Sequence, residues 1–263
     1  MAKTPIIALL TDFGTTDHYV GTMKGVLLSR NPQARIVDVS HGVLPQQIQQ
    51  AGFLLWTAYR YFPKRTIFVC VVDPGVGSAR EILVVKTAEY TFIAPENGLL
   101  DLVLSELKVV QSFHINQRNE KLFEKNISQT FHARDIFAPV AAALSRGTSA
   151  AKLGKKFTLP KQTPRLVEGA GSVVKPVVLH VDRFGNCVTN IAASAGGEKP
   201  RLSIGVTGRG IVSTWVTHYG AAPERTPFLV AGSSRLVEIC VKNDSAARLL
   251  SIDVGSSLKT YWH

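Results

Sequence analysis

Cysteine is scarce in this chain: Cys70, Cys187 and Cys240 are odd in number and scattered, and two of them lie inside apolar, strand-like runs. That usage excludes a disulfide framework and reads as buried thiols, with neither disulfide nor metal site. Long hydrophobic runs are also missing. The longest apolar stretches fall far short of the roughly 20 residues a spanning helix needs, and Met1 to Leu10 is too short for a signal peptide, so a cytoplasmic protein without a membrane partner is expected. Acidic residues are few: 19 Asp and Glu stand against 30 Lys and Arg, a formal charge of +11. Such a balance raises the question of nucleic acid. Aromatics interleaved with the basic residues are lacking, however. The densest basic cluster, Lys152, Lys155, Lys156, Lys161 and Arg165, has only Phe157 beside it, in what reads as a linker, so it predicts a solvated surface and no nucleic-acid partner. The P-loop, the G-x-S-x-G elbow and H-E-x-x-H are all absent, and the seven His show no metal-ligand spacing.

What is present is a regular alternation. Ile67 to Val72 is apolar and β-branched, too short for a typical helix, and reads as a strand buried on both faces. It ends at Asp73-Pro74-Gly75-Val76-Gly77-Ser78, so a carboxylate sits where a core strand gives way to a glycine loop, the ligand-binding edge of an open α/β sheet. Capping of the turn is the competing role for that acid. Arg80 at the far end of the loop favours function, since an Arg beside a carboxylate orients it and favours its charged form. Ile6 to Leu10 reads as an earlier strand, again followed by an acid, Asp12. A helix through Val20, Met23 and Leu27, a strand at Arg35 to Ser40 and a helix at Gln46 to Tyr61 complete the pattern of a doubly wound, mostly parallel sheet. Strands at Glu81 to Thr87 and Tyr90 to Ala94 precede a helix at Leu99 to Leu107. Pro139 suits a first helical turn, which places a helix start near Asp135 with Asp135 as its cap and His132 just ahead of it. His132 there is a structural residue unless it faces Asp73, which would orient it as a base.

From Gly147 to Gly171 the alternation stops, and the domain boundary is placed so that residues 1–168 form the α/β domain and 169–263 a smaller one. The latter holds only short strand-like runs between turn residues, which suggests a small β-barrel or sandwich. Its polar cluster Asp182-Arg183-Phe184-Gly185-Asn186 reads first as a hairpin loop. The aromatic beside an amide also suits a flat heterocycle.

Six ordered motifs carry a resemblance: Thr11-Asp12-Phe13-Gly14, Asp38-Val39-Ser40-His41, Val72-Asp73-Pro74-Gly75-Val76-Gly77, Ala94-Pro95-Glu96-Asn97-Gly98-Leu99, Phe131-His132-Ala133-Arg134-Asp135 and Asp182-Arg183-Phe184-Gly185-Asn186. Together they resemble the S-adenosylmethionine hydroxide adenosyltransferase family, hydrolytic relatives of fluorinase and chlorinase, over nearly the whole chain. The resemblance implies an N-terminal α/β domain, a C-terminal β-barrel, and a homotrimer with active sites between neighbouring subunits. It implies displacement of methionine from ribose C5′ by water or hydroxide, giving adenosine and L-methionine, with no cofactor. It makes Asp73, Arg80 and His132 the catalytic set. Asp12 would take the ribose diol, Asp17 and Asp182 the methionine ammonium, and Phe184 and Asn186 would lie near the nucleoside. Tyr219 would cover the adenine, Ser233 would contact the methionine carboxylate, and the backbone from Val241 to Asn243 would read the adenine edge.

Two features bear on the nucleophile. The halide-using branch carries a Tyr at the position of Asp73 and a long insertion after that loop; here only a short segment separates Arg80 from Tyr90. Water is therefore expected, with a halide-dependent synthase as one alternative and a slow S-adenosylmethionine-binding sensor as another. Two departures from the family pattern stand out: Arg235 occupies its usual glycine position in Gly232-Ser233-Ser234-Arg235-Leu236, and Ala133 replaces its commoner glycine.

Overall fold

A computed structural model describes residues 4–119, 122–123, 126–160, 166–193 and 201–263. Lys161 and Arg165 of the basic cluster, and the first three residues, lie outside them. The chain divides into two compact units, Met1–Thr163 and Pro164–His263.

The first unit runs β1 (Ile6–Thr11), α1 (Tyr19–Arg30), β2 (Arg35–Ser40), α2 (Ile48–Ala58), β3 (Ile67–Val71), β4 (Ile82–Thr87), β5 (Thr91–Pro95), α3 (Asp101–Glu106), β6 (Val109–Ile115), α4 (Ala138–Ser145) and β7 (Gly154–Phe157). Its seven strands form one sheet in the order β2-β1-β3-β5-β4-β6-β7. The half from β2 to β5 is parallel, and β4, β6 and β7 extend it by antiparallel pairs. Strands β1, β3 and β5 of that half bury both faces, as their continuous apolar runs require, while the edge strand β2 stays partly exposed. On one face Ile7, Leu9, Val69 and Val71 pack with Met23 and Leu27 of α1 and the alanines of α4. Within the sheet, Phe68 stacks on Phe92 with ring centroids 5.2 Å apart.

Chain order matters for the site. From β1 the chain moves outward to β2, then returns to β3 on the other side of β1, so the order reverses between β1 and β3. Such a switch point opens a crevice at the carboxyl ends of the strands. Thr11 and Val71 are register partners there, so Asp12 and Asp73 both follow strands that end at that edge.

Three expectations change. The stretch read as a linker contains β7, whose Lys155 and Lys156 lie on an exposed edge strand, where lysine blocks further pairing. Strand β6 was not expected from sequence. The helix near Asp135 begins earlier, as a wide turn over Ala133–Phe137 in which Ala138 N–H reaches the Ala133 carbonyl. Pro139 follows at the start of α4 and has no N–H for a regular bond.

The second unit contains β8 (Val178–Val181), β9 (Cys187–Ala192), β10 (Leu202–Val206), β11 (Gly210–Val212), β12 (Pro227–Ala231), β13 (Leu236–Val241), α5 (Ala246–Leu250) and β14 (Leu258–Trp262). These strands pair as two antiparallel sheets, β11-β10-β14 and β12-β13-β9-β8. Single bridges join Val177 to Ser257 and Trp215 to Leu229. Cys70, Cys187 and Cys240 are buried free thiols. No helix among the described residues is long and apolar enough to cross a membrane, and no group of His, Cys, Asp and Glu among them is arranged to hold a metal.

Candidate active site

The loop after β3 is two consecutive tight turns. Val76 N–H bonds the Asp73 carbonyl at 3.1 Å, and Ser78 N–H bonds the Gly75 carbonyl at 3.0 Å. Gly77 takes a φ of +78°, and a Cβ there would sit 2.3 Å from the Gln129 carbonyl oxygen, so only glycine fits. These turns bring Arg80 back onto Asp73. Arg80 Nε donates to Asp73 Oδ2 at 2.9 Å and Oδ1 at 3.1 Å, and Nη2 donates to Oδ2 at 2.5 Å. From the next strand end, Asn97 Nδ2 donates to the Val72 carbonyl at 2.9 Å and steadies the backbone carrying the acid.

The same Arg80 Nη2 lies 2.8 Å from Nδ1 of His132. His132 is buried at the amino end of the wide turn that leads into α4. Burial lowers its pKa below the ordinary histidine value, and the charge of Arg80 lowers it further, against opposing pulls from Asp73 and Asp135. Because a guanidinium has donors only, Nδ1 is the acceptor, and the proton of the neutral ring belongs on Nε2. Asp135 does not cap the helix: its carboxylate accepts from Ser128 N–H and from the Arg134 side chain.

Gln117 completes the surroundings of Arg80. Its Oε1 accepts from Arg80 Nη1 at 3.3 Å, and its Nε2 donates to the Arg80 carbonyl at 3.1 Å. Sequence reasoning missed Gln117 because it lies 37 positions from Arg80, in the turn that follows the unexpected β6. A cleft of about 1020 Å³ adjoins this side of the set, lined by Gly77, Ser78, Gln117, Gln129 and His132 with residues of the β6 and β7 ends; Asp73 and Arg80 are not part of its lining.

Asp12 follows β1, and its Oδ2 accepts from Gln46 N–H at 2.8 Å. Behind it, Thr11 Oγ1 is 2.8 Å from Nδ1 of the buried His41, whose Nε2 stands 3.1 Å from Asp38. Asp17 is exposed just before α1. The neighbouring rings of Phe13, His18, Tyr19 and Phe131 meet with centroids 4.7 to 6.3 Å apart.

In the second unit, Asp182 holds a hairpin turn between β8 and β9. Its Oδ1 accepts from the N–H groups of Phe184 and Asn186 at 2.8 and 2.9 Å, and its Oδ2 accepts from Asn186 Nδ2 at 2.9 Å. The hairpin reading of this motif therefore holds. It leaves Phe184 79% exposed at the tip. Tyr219 is half-exposed, and its hydroxyl donates to Glu238 Oε2 at 2.7 Å. Ser233 is exposed in the turn between β12 and β13, Val241 ends β13, and Asn243 follows in an exposed turn with φ +58°. Arg235 adopts φ +61°, so this chain keeps the left-handed turn although the residue is not glycine.

Residues 7–154 match the model of the SAM hydroxide adenosyltransferase N-terminal domain, and residues 177–259 match that of the C-terminal domain. An (R)-S-adenosyl-L-methionine hydrolase of Thermus thermophilus is 32% identical, across 96% of this chain and 98% of its own length. One of the same name from Salinispora arenicola is 34% identical across 98% of both. A fluorinase of an Actinoplanes species is more distant, at 29% across 71% of this chain and 72% of its own. A crystal structure of an uncharacterized conserved protein from Thermotoga maritima superposes with a TM-score of 0.83 at 34% identity, covering 97% of this chain and all of that one.

Proposed function

Since the chain belongs to the SAM hydroxide adenosyltransferase family, we propose that it hydrolyses S-adenosyl-L-methionine to adenosine and L-methionine by attack of water at ribose C5′. The observation that carries this reading is the hydrogen-bonded set of Asp73, Arg80 and His132 at the switch point of the sheet.

The chemistry is balanced without a cofactor. Water oxygen bonds to C5′, the bond from C5′ to sulfur breaks, and sulfur keeps its electron pair, turning from sulfonium into neutral thioether. The leaving group needs no acid. One proton leaves the water, and Asp73 is the group suited to take it. His132 is less suited, because its Nδ1 is engaged by Arg80 and burial disfavours its protonated form; its Nε2–H is better used to hold the water oxygen in line. General-base assistance supplies about 10²–10⁴-fold in rate. Alignment of water with the breaking bond contributes more, since effective molarities reach about 10⁵–10⁸ M. A halide nucleophile is disfavoured by the carboxylate at its entry, because like charges repel.

The substrate contacts in this proposal are those that the family resemblance implies. Asp12 accepts from the ribose hydroxyls, while Asp17 and Asp182 face the methionine ammonium. Phe184, Asn186 and Tyr219 serve the nucleoside, Ser233 the carboxylate, and the backbone from Val241 to Asn243 the adenine edge. The closed C-terminal barrel belongs to the same proposal, and the two single bridges at the sheet margins support it. So does the homotrimer, which light scattering on the purified protein tests. Incubation with S-adenosylmethionine and chromatography of the products tests the reaction: adenosine and methionine in equal amounts, lost in Asp73→Asn, support it. Tight binding without turnover leaves the sensor in its place.

A further inference from the structure

Glu238 is a carboxylate at 7% exposure in the centre of β13. Its ladder partners are Val230 and Val188, and the buried side chains of its own face include Val230, Phe228 and Cys240. Among the described residues no Lys, Arg or His pairs with it. A buried acid in such surroundings is costly unless something uses it. Burial raises its pKa, the hydrogen bond from Tyr219 pulls it back, and the nearby Asp182 raises it again, for a net upward shift.

Two neighbours give it a use. The Tyr219 hydroxyl donates to Oε2 at 2.7 Å. On the other side, a Cβ built on Gly232 would lie 1.9 Å from Oε1, so the carboxylate occupies the space that any larger residue at 232 would fill. Gly232 makes the room, Glu238 fills it, and the phenol of Tyr219 is tied down. Tyr219 opens a short turn, Tyr219–Ala221, and is 47% exposed. Its ring therefore meets solvent while its hydroxyl is anchored inside. A tethered ring with an open face suits stacking on a flat heterocycle, because the rotamer entropy is lost before the ligand arrives.

We propose that Glu238 is a positioning residue for the nucleoside base, acting through Tyr219, and that Gly232 is the residue that admits it. The proposal rests on the assignment of Tyr219 to the adenine side of the site. The cost of losing the anchor should fall on binding and leave the chemical step at C5′ nearly unaffected.

The test is steady-state hydrolysis of S-adenosylmethionine by the full chain, with calorimetric titration of adenosine. Tyr219→Phe and Glu238→Ala are each expected to raise KM and the adenosine Kd about tenfold, the loss expected for one hydrogen bond to a charged group, with kcat within about twofold. The double variant should be no worse than either single one, because both remove the same bond. Glu238→Gln retains an acceptor oxygen and is expected to restore KM to within about threefold of wild type. Gly232→Ala should raise KM in the wild-type background and add nothing in Glu238→Ala. Losses that add in the double variant, or that fall on kcat, overturn the proposal. If Glu238→Ala fails to fold, Tyr219→Phe decides alone: unchanged adenosine binding refutes the anchor. A wild-type protein that neither binds adenosine nor releases it from S-adenosylmethionine removes the functional reading and this inference together, whereas wild-type turnover with unaffected variants removes only the inference.

Discussion

Arg80 Nη2 donates to His132 Nδ1 at 2.8 Å while holding Asp73 with the same nitrogen. One guanidinium thereby fixes both the acid and the tautomer of the imidazole. Protonation of His132 would place a hydrogen on Nδ1 and break that contact, so the contact requires a neutral ring.

The pH dependence follows from that. His132 has a pKa below the ordinary 6.5, so kcat/KM is expected to stay level at neutral pH and fall on the acid side with a midpoint under that value. The part of that limb set by His132 should be absent in His132→Asn, at a lower plateau. Stability has the same sign: the unfolded chain binds the proton more readily, so the contribution of neutral His132 is full above 6.5 and declines as pH falls from there through the lowered folded value. Urea titrations across that range check it.

Asp73 and Arg80 act as one unit. Asp73→Asn is expected to lower kcat by about 10²–10⁴-fold. Arg80→Lys keeps the charge but loses the fork that reaches Asp73, His132 and Gln117 together, and is expected to cost about 10²-fold or more in kcat. Single-turnover measurements at saturating substrate separate these losses from weaker binding.

Gly77→Ala should cost stability as well as activity. Its φ of +78° and the 2.3 Å approach to the Gln129 carbonyl both oppose a side chain. A loss of about 1–3 kcal/mol in urea unfolding is expected.

Arg235→Gly should have the opposite effect. Arg235 pays for a left-handed φ of +61° that glycine adopts freely, so the substitution is expected to stabilise by up to about 1 kcal/mol after glycine's own chain entropy is counted. Thermal unfolding of the two proteins compares them directly.

Sequence patterns were most informative where a local run decides the structure. Ile67 to Val71 had to be a buried strand, and Asp73 with two following glycines had to turn. The pairing of Asp73 with Arg80 was also local, seven residues apart across those turns. Strand β7 was hidden because Lys155 and Lys156 look like linker residues, and only its pairing with β6 reveals their place. The helix α5 carried a signal that was passed over: Ser245 accepts from Arg248 N–H as its cap. Gln117 and Glu238 were not legible at all. Each acquires its importance from a partner brought close by tertiary folding, Arg80 in one case and Tyr219 with Gly232 in the other.

The most direct test of the central claim is incubation with S-adenosylmethionine in ¹⁸O-labelled water containing chloride, followed by mass analysis. Adenosine carrying the label on its 5′ oxygen, together with unlabelled L-methionine, is the predicted result. A 5′-chlorinated nucleoside, or adenosine without the label, would contradict attack by water at C5′.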